Sequence, residues 1–352
     1  MTRGRSHPVA LRRSTARRRY SRACLLDLFL LGSMFAAVAA PVSAMAQSGS
    51  QRDGRWAILL AGISGDKDLQ REFIGEVKDL YAILSGPMQL AGDHMRVLVD
   101  DPTLLPGVAA EKSTTENLLG SCREIAGRSA EDDRVFVFIA GHGNFDGKTY
   151  KLNLVGPDPT ADELAAAIYS IPARSFVVVN TTNCSGGSAA ALSRPGRIVV
   201  TATRTGQEKN RTYTGRFFVE ALKDSSADVD RNGRISVQEA FNYALQKVEE
   251  YYSSEGLIQT EHPVLTDGSD GLLARTAYLD SGMRPSDEST LSAEELRLKK
   301  ESDSLEKEIE ALKQGRTGMS EEEYERKLEA LLLRLAEINA QQRRQPPQAP
   351  DQ

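Results

Sequence analysis

The feature that most constrains this chain is a series of short apolar runs separated by stretches of helical spacing. Arg55 to Ala61 (RWAILLA), Met95 to Val99 (MRVLV), Arg134 to Ala140 (RVFVFIA), Phe176 to Val179 (FVVV) and Arg197 to Thr203 (RIVVTAT) have the length of strands and almost no polar interruption. Strands that are apolar on both faces belong to a parallel sheet covered on both sides. Between them, Phe73, Val77, Leu80, Tyr81 and Leu84 recur at helical spacing, and Thr114 to Ala126 and Thr160 to Ile171 also read as helices. The alternation predicts an α/β domain in three layers, with a mostly parallel central sheet. In such sheets chemistry sits beyond the carboxyl ends of the strands.

The flanks differ in character. The first residues are strongly basic, with Arg12, Arg13, Arg17, Arg18, Arg19 and Arg22, and an apolar run follows from Leu25 to Ala40. Ala44-Met45-Ala46 then places small residues at the positions that a signal peptidase reads. Residues 1–46 are therefore expected to be an export signal, and the mature protein periplasmic or extracellular, with no membrane span after cleavage. The Arg17-Arg18-Arg19-Tyr20 stretch resembles a twin-arginine signal. An uncleaved anchor is the other reading, although the apolar run is short for a span. Residues 47–54 read as a linker, 55–280 as the main domain, 281–290 as a second linker and 344–352 as a disordered tail.

Residues 291–343 carry two apolar stripes, Leu298, Leu305, Ile309 and Leu312, then Tyr324, Leu328, Leu331, Leu335 and Ile338, interrupted between Gly315 and Gly318. Capping boxes at Ser292/Glu295 and Ser320/Glu323 open the two segments. The expectation is a C-terminal helical hairpin, packed on itself or on the main domain, or a coiled coil offered to a protein partner. The net charge of -5 argues against a nucleic-acid partner, since no excess of cations is available for phosphates.

Two reactive-type residues stand at strand ends. The third apolar run closes in Gly141-His142-Gly143, and the fourth leads into Asn180-Thr181-Thr182-Asn183-Cys184-Ser185-Gly186-Gly187. Gly141 and Gly143 let the backbone turn sharply and leave the Gly143 N–H free to meet a ligand. If the two strands are neighbours, His142 is placed to deprotonate Cys184, and the N–H groups of Gly143 and Cys184 to form an oxyanion site. Of the other cysteines, Cys24 leaves with the signal, and Cys122 lies in a helical apolar pattern that makes it a buried thiol; an oxidising compartment would also allow Cys122 and Cys184 to pair.

On these residues the stretch from Arg55 to Leu273 resembles the caspase/legumain-like cysteine peptidases, the group that also holds metacaspases and gingipains. The carriers are the strand-end GHG histidine, the strand–Cys–Gly turn about 40 residues later, and the helix begun near Gly215-Arg216-Phe217-Phe218. The resemblance implies a caspase-like three-layer fold and an exported cysteine endopeptidase acting on peptide or protein substrates, with His142 as base and Cys184 as nucleophile. By analogy it puts Thr201 and Thr203 in the wall of the pocket for the substrate side chain. The motif has two registers. Cys184-Ser185-Gly186 fits the caspase turn Cys-x-Gly. Alignment on the Ser-Gly of the legumain-like turn instead puts Asn183 in the nucleophile slot and Thr181 in place of an Asp. That register makes the protein a catalytically inactive, calcium-stabilised binding or scaffold protein.

The calcium expectation comes from residues 228–239, DVDRNGRISVQE, which match every position of the EF-hand loop pattern. Asp228, Asp230 and Asn232 offer side-chain oxygens, Arg234 its carbonyl, Ser236 a direct or water-mediated ligand, and Glu239 two oxygens. The other histidines, His94 and His262, read as turn and loop residues, and no His/Cys metal cluster is visible.

Overall fold

The computed structural model describes residues 53–268, 273–280, 293–315 and 319–344. The expected signal, most of the first linker, the second linker and residues 345–352 of the tail lie outside the described residues.

Among the described residues, nine strands and eight helices follow in chain order. The strands are β1 (Arg55–Ala61), β2 (Met95–Val99), β3 (Ala110–Lys112), β4 (Arg134–Ala140), β5 (Gly143–Phe145), β6 (Tyr150–Leu152), β7 (Ser175–Asn180), β8 (Arg197–Thr201) and β9 (Val264–Thr266). The helices are α1 (Lys67–Ser85), α2 (Thr115–Ala126), α3 (Ala161–Ile168), α4 (Ala189–Leu192), α5 (Thr214–Ala221), α6 (Val237–Ser254), α7 (Ala293–Gln314) and α8 (Glu321–Arg344). Seven strands form one sheet in the order β3-β2-β1-β4-β7-β8-β9, parallel except for the antiparallel edge strand β9. β5 and β6 form a separate antiparallel hairpin.

Why the central strands read as continuous apolar runs is plain from their two faces. In β1, Ala57, Leu59 and Ala61 join one apolar cluster with Phe73, Val77 and Leu80 of α1 and with residues of α5 and α6. The alternate residues Trp56, Ile58 and Leu60 join a second cluster with Leu118, Cys122 and Ile125 of α2 and Leu164 and Ile168 of α3. β4 divides in the same way, Phe136 and Phe138 to the first layer and Val135, Val137 and Ile139 to the second. The two-residue period of a strand thus feeds both layers of a three-layer α/β domain of caspase-like architecture.

Local chemistry sets the helix starts. Asp66 caps α1 by accepting from Asp68 N and Leu69 N, Thr114 caps α2 by accepting from Asn117 N, and Thr160 and Glu163 form a capping box at α3. The last of these helices is shorter than its apolar pattern, ending at Ile168, because Ser170 and Ile171 take up turn bonds to Ala167 and Ile168.

α7 and α8 pack against each other as a hairpin. Leu298, Leu305, Ile309, Tyr324, Leu328, Leu335 and Ile338 are all buried, in the same apolar cluster as α1, α5 and α6. Leu312 and Leu331 of the same stripes are half-buried against that cluster. The Ser320 hydroxyl caps α8 by accepting from Glu323 N, while Ser292 and residues 316–318 lie outside the described residues. Among the described residues no helix is long and apolar enough to cross a membrane.

Candidate functional site

The sheet order reverses between β1 and β4, since β2 and β3 lie on one side and β7 and β8 on the other. Such a switch point opens a crevice at the carboxyl ends of the strands, and His142 stands there, two residues beyond Ala140. Gly141, at φ 135, makes the turn. Gly143 is a glycine for space: a Cβ there would lie 2.4 Å from the Tyr150 ring and 2.6 Å from the Asn183 carbonyl oxygen.

The His142 ring is half-buried, edge-on to Phe73 of α1 with centroids 5.4 Å apart. Its Nε2 lies 3.2 Å from the Ser64 carbonyl oxygen. A carbonyl only accepts, so the contact calls for a proton on Nε2. The ring is thus oriented by the turn after β1.

The cysteine loop follows β7. Thr181 continues the strand, its N–H and its hydroxyl both donating to the Ile139 carbonyl. Behind it stands a buried polar network. The Thr182 N–H and hydroxyl donate to Asn180 Oδ1, and Asn180 Nδ2 donates to Tyr150 OH and Ser188 Oγ. The Tyr150 and Thr182 hydroxyls are 2.7 Å apart. Burial pushes the Tyr150 phenol up to about 12, so it stays neutral. On the far side, Gly186 N–H donates to Thr203 Oγ1 and Thr203 N–H to Ser185 Oγ. Thr201 and Thr203, expected in a pocket wall, are instead fully buried and hold this loop in place. Removing the Tyr150 hydroxyl takes the acceptor from one buried Asn180 N–H, so Tyr150→Phe is expected to cost about 1–3 kcal/mol of unfolding free energy in urea titrations.

The loop places the two candidate side chains in different surroundings. Cys184 sits in the left-handed region, φ 59 and ψ 5, which few non-glycine residues adopt. Its N–H donates to the Glu208 carbonyl. Its side chain is 1 % exposed and belongs to the second apolar layer with Tyr150, Leu152 and Leu192. Burial raises the thiol above its ordinary range, against the weaker pull of Lys209. Among the described residues it makes no hydrogen bond to His142. Asn183 is the residue that reaches the histidine turn: Gly143 N–H, expected free, donates to Asn183 Oδ1 at 2.9 Å, and Asn183 Nδ2 donates to the Lys209 carbonyl. Cys122 is also a free, buried thiol, pushed up to about 12, and is not paired with Cys184.

Next to this turn lies an acidic group that the sequence reading passed over. Glu76 of α1 is 9 % exposed, and a Cβ on Gly215 would fall 2.6 Å from its Oε2 and 2.8 Å from Thr181 Oγ1. Burial, then the charge of Glu72, push its carboxyl well up. Nearby Glu261 accepts from Tyr213 N, Thr214 N and Thr214 Oγ1, yet burial still raises it to about 7. A carboxylate inside the apolar stripe Phe73, Val77 and Leu80 is the signal that would have found Glu76.

The loop from Asp228 to Glu239 joins a short turn after α5 to the start of α6. Side-chain oxygens of Asp228, Asp230 and Glu239 all lie within 4.8 Å of one another. Gly233, at φ 78, makes the sharp turn at the loop's centre. Loop N–H groups converge on the carboxylates: Gly233 N on Asp228 Oδ2, Asn232 N on Asp230 Oδ1, and Val229 N on Glu239 Oε1. The Asn232 side chain donates to Asp230 and to Tyr278 OH. Ser236 and Glu239 form the capping box of α6. The side-chain oxygens of Asp228, Asp230, Asn232 and Glu239 are of the hard kind that calcium takes.

No family model matches the chain, and no curated protein sequence matches it. Among solved structures it is similar to protein GSU0716 of Geobacter sulfurreducens, at 11% identity, covering 60% of this chain and 92% of that one, with a TM-score of 0.38. A likeness of that degree bears on neither site nor activity.

Proposed function

We propose that the chain is a caspase/legumain-like module that binds a peptide or protein rather than cutting it, is exported, and is stiffened by calcium in the 228–239 loop. One observation carries the reading: Asn183 Oδ1 takes the Gly143 N–H, while the Cys184 thiol is packed in the apolar layer. In a peptidase of this plan that N–H would receive the substrate's developing oxyanion. Here a side-chain amide already fills it, and an amide is no nucleophile. The endopeptidase reading needs Cys184 solvent-accessible within reach of His142 with a lowered pKa; its thiol is buried and raised. Calcium would be held by Asp228, Asp230, Asn232, Ser236, Glu239 and the Arg234 carbonyl, and would neutralise the carboxylates that crowd the loop.

The test is a peptide-library digestion with the purified chain in calcium, alongside Cys184→Ser and His142→Ala. The three proteins are expected to leave the library equally intact. Cleavage by the wild type that both substitutions abolish would establish the peptidase instead.

A further inference from the structure

One face of α1 carries three carboxyls at helical spacing, Glu72, Glu76 and Asp79, and they line a groove between α1 and α5 together with Arg216, Glu220 and Lys223. The outer two are served by cations of the chain itself: Glu72 pairs with Arg211, and Asp79 with Lys223 at 2.7 Å. Glu220 accepts from the Tyr243 hydroxyl at 2.8 Å. The middle carboxyl, Glu76, is the most buried of the three, and among the described residues it has no hydrogen bond or ion pair. Glu72 Oε1, one helical turn away, is also buried without a partner. A second arginine whose charge reaches Glu76, Arg216, is exposed and stands over the Phe217 ring instead. A buried carboxyl without a partner destabilises a fold, and such groups concentrate where a ligand has use for them.

We propose that Glu76, with the unpartnered oxygen of Glu72, receives the cationic head of an arginine or lysine side chain in the bound peptide; this names the ligand class of the peptide-binding reading and rests on it. The groove lies next to the crevice. Thr181 precedes Asn183 by two residues at the end of β7, and a Cβ on Gly215 of α5 would come within 2.8 Å of its hydroxyl and 2.6 Å of Glu76 Oε2. Glycine at 215 therefore keeps the carboxyl beside the strand end, where a peptide lying across β4 and β7 passes it. An organic cation is the fitting ligand. Among the described residues, the carboxylates that converge closely enough for a metal ion are those of the 228–239 loop.

The pairing has a pH signature. In the free chain, burial and then the charge of Glu72 favour the protonated form of Glu76; Glu261 adds to them, and Arg211 and Arg216 oppose them. A cation brought against the carboxyl favours its ionised form, so binding releases a proton and strengthens as pH rises.

The experiment is equilibrium dialysis of the full chain, in calcium, against two heptapeptide pools that differ only in a fixed central residue, arginine or its uncharged isostere citrulline. At about pH 8, wild type is expected to retain the arginine pool at least about tenfold more than the citrulline pool. That preference should shrink as the pH is lowered to about 6. Glu76→Gln, with its fold checked by thermal unfolding, should retain the two pools equally. Equal retention by wild type, a preference that survives Glu76→Gln, or one that does not change with pH overturns the assignment of a basic side chain and leaves the peptide reading standing. Retention of neither pool at about millimolar peptide overturns both.

Discussion

Glu76→Gln is expected to raise the midpoint of thermal unfolding at pH 8 by roughly 4–10 °C, and to leave it nearly unchanged at pH 5. The reason is a carboxyl buried between α1 and α5, with Gly215 closed over it. Burial pushes its pKa well up, and Glu72 adds to the shift. Arg211, one of the cations whose charge reaches it, is committed to Glu72. The sign follows from linkage. A carboxyl whose folded pKa is raised binds more protons in the folded state, so its contribution is complete below the unfolded value and is lost as pH rises through the folded one. Each such group steepens the fall by up to about 1.4 kcal/mol per pH unit within that window. Glu261, raised to about 7, acts in the same direction between about pH 4.5 and 7. The difference between wild type and Glu76→Gln isolates the one group, since the lowered surface carboxylates such as Asp66 and Asp146 are common to both proteins. Differential scanning calorimetry across that pH range measures it; a midpoint difference that does not grow with pH would mean that Glu76 is not held neutral.

The second large effect concerns the slot beside His142. Asn183→Cys is expected to place a thiol at the Gly143 N–H, where Asn183 Oδ1 now lies. Position 183 is half-exposed, so the introduced thiol is open to reagent. With His142 near by to take its proton, the introduced thiol should ionise below the ordinary cysteine value of about 8.5. At pH 7 iodoacetamide should label it at least about 100-fold faster than Cys184, and His142→Ala added to the variant should slow it roughly tenfold. Equal labelling with and without His142 would separate position 183 from the histidine. Peptide hydrolysis by the variant would go further and show that the cleft still presents a scissile bond.

The sheet was legible because burial on both faces leaves a simple trace. β1, β2 and β4 have the bounds that their apolar runs give, and the capping residues Thr114 and Thr160 mark helix starts by local chemistry alone. The missing strands are those without such a trace. β3 is Ala110–Lys112, an edge strand with two charged residues, and β9 is a three-residue antiparallel edge. The β5–β6 hairpin did carry a signal, Asp146-Gly147 between Phe145 and Tyr150, of the kind that turns tight hairpins.

The strand ends that carry the candidate residues were legible, and the conformation of the turn between them was not. The sequence brings His142 and the Asn183-Cys184 pair to adjacent strand ends, and β4 and β7 are indeed neighbours. Which of the two side chains faces the histidine turn depends on one backbone conformation at Cys184. That conformation is held by Ser185, Thr203, Glu208 and Asn180, partners up to about two dozen residues away whose contacts no local pattern encodes.

The reactivity of Cys184 itself tests most directly whether this cleft holds a working nucleophile. Iodoacetamide labelling of the native chain would be followed by peptide mass for Cys184 and Cys122, between about pH 6.5 and 8.5, in wild type and in His142→Ala. Both cysteines are expected to resist the reagent until the protein is denatured, and losing His142 to change neither rate. Fast labelling of Cys184 below pH 8 that slows without His142 would contradict that expectation, and would make the cysteine a working nucleophile.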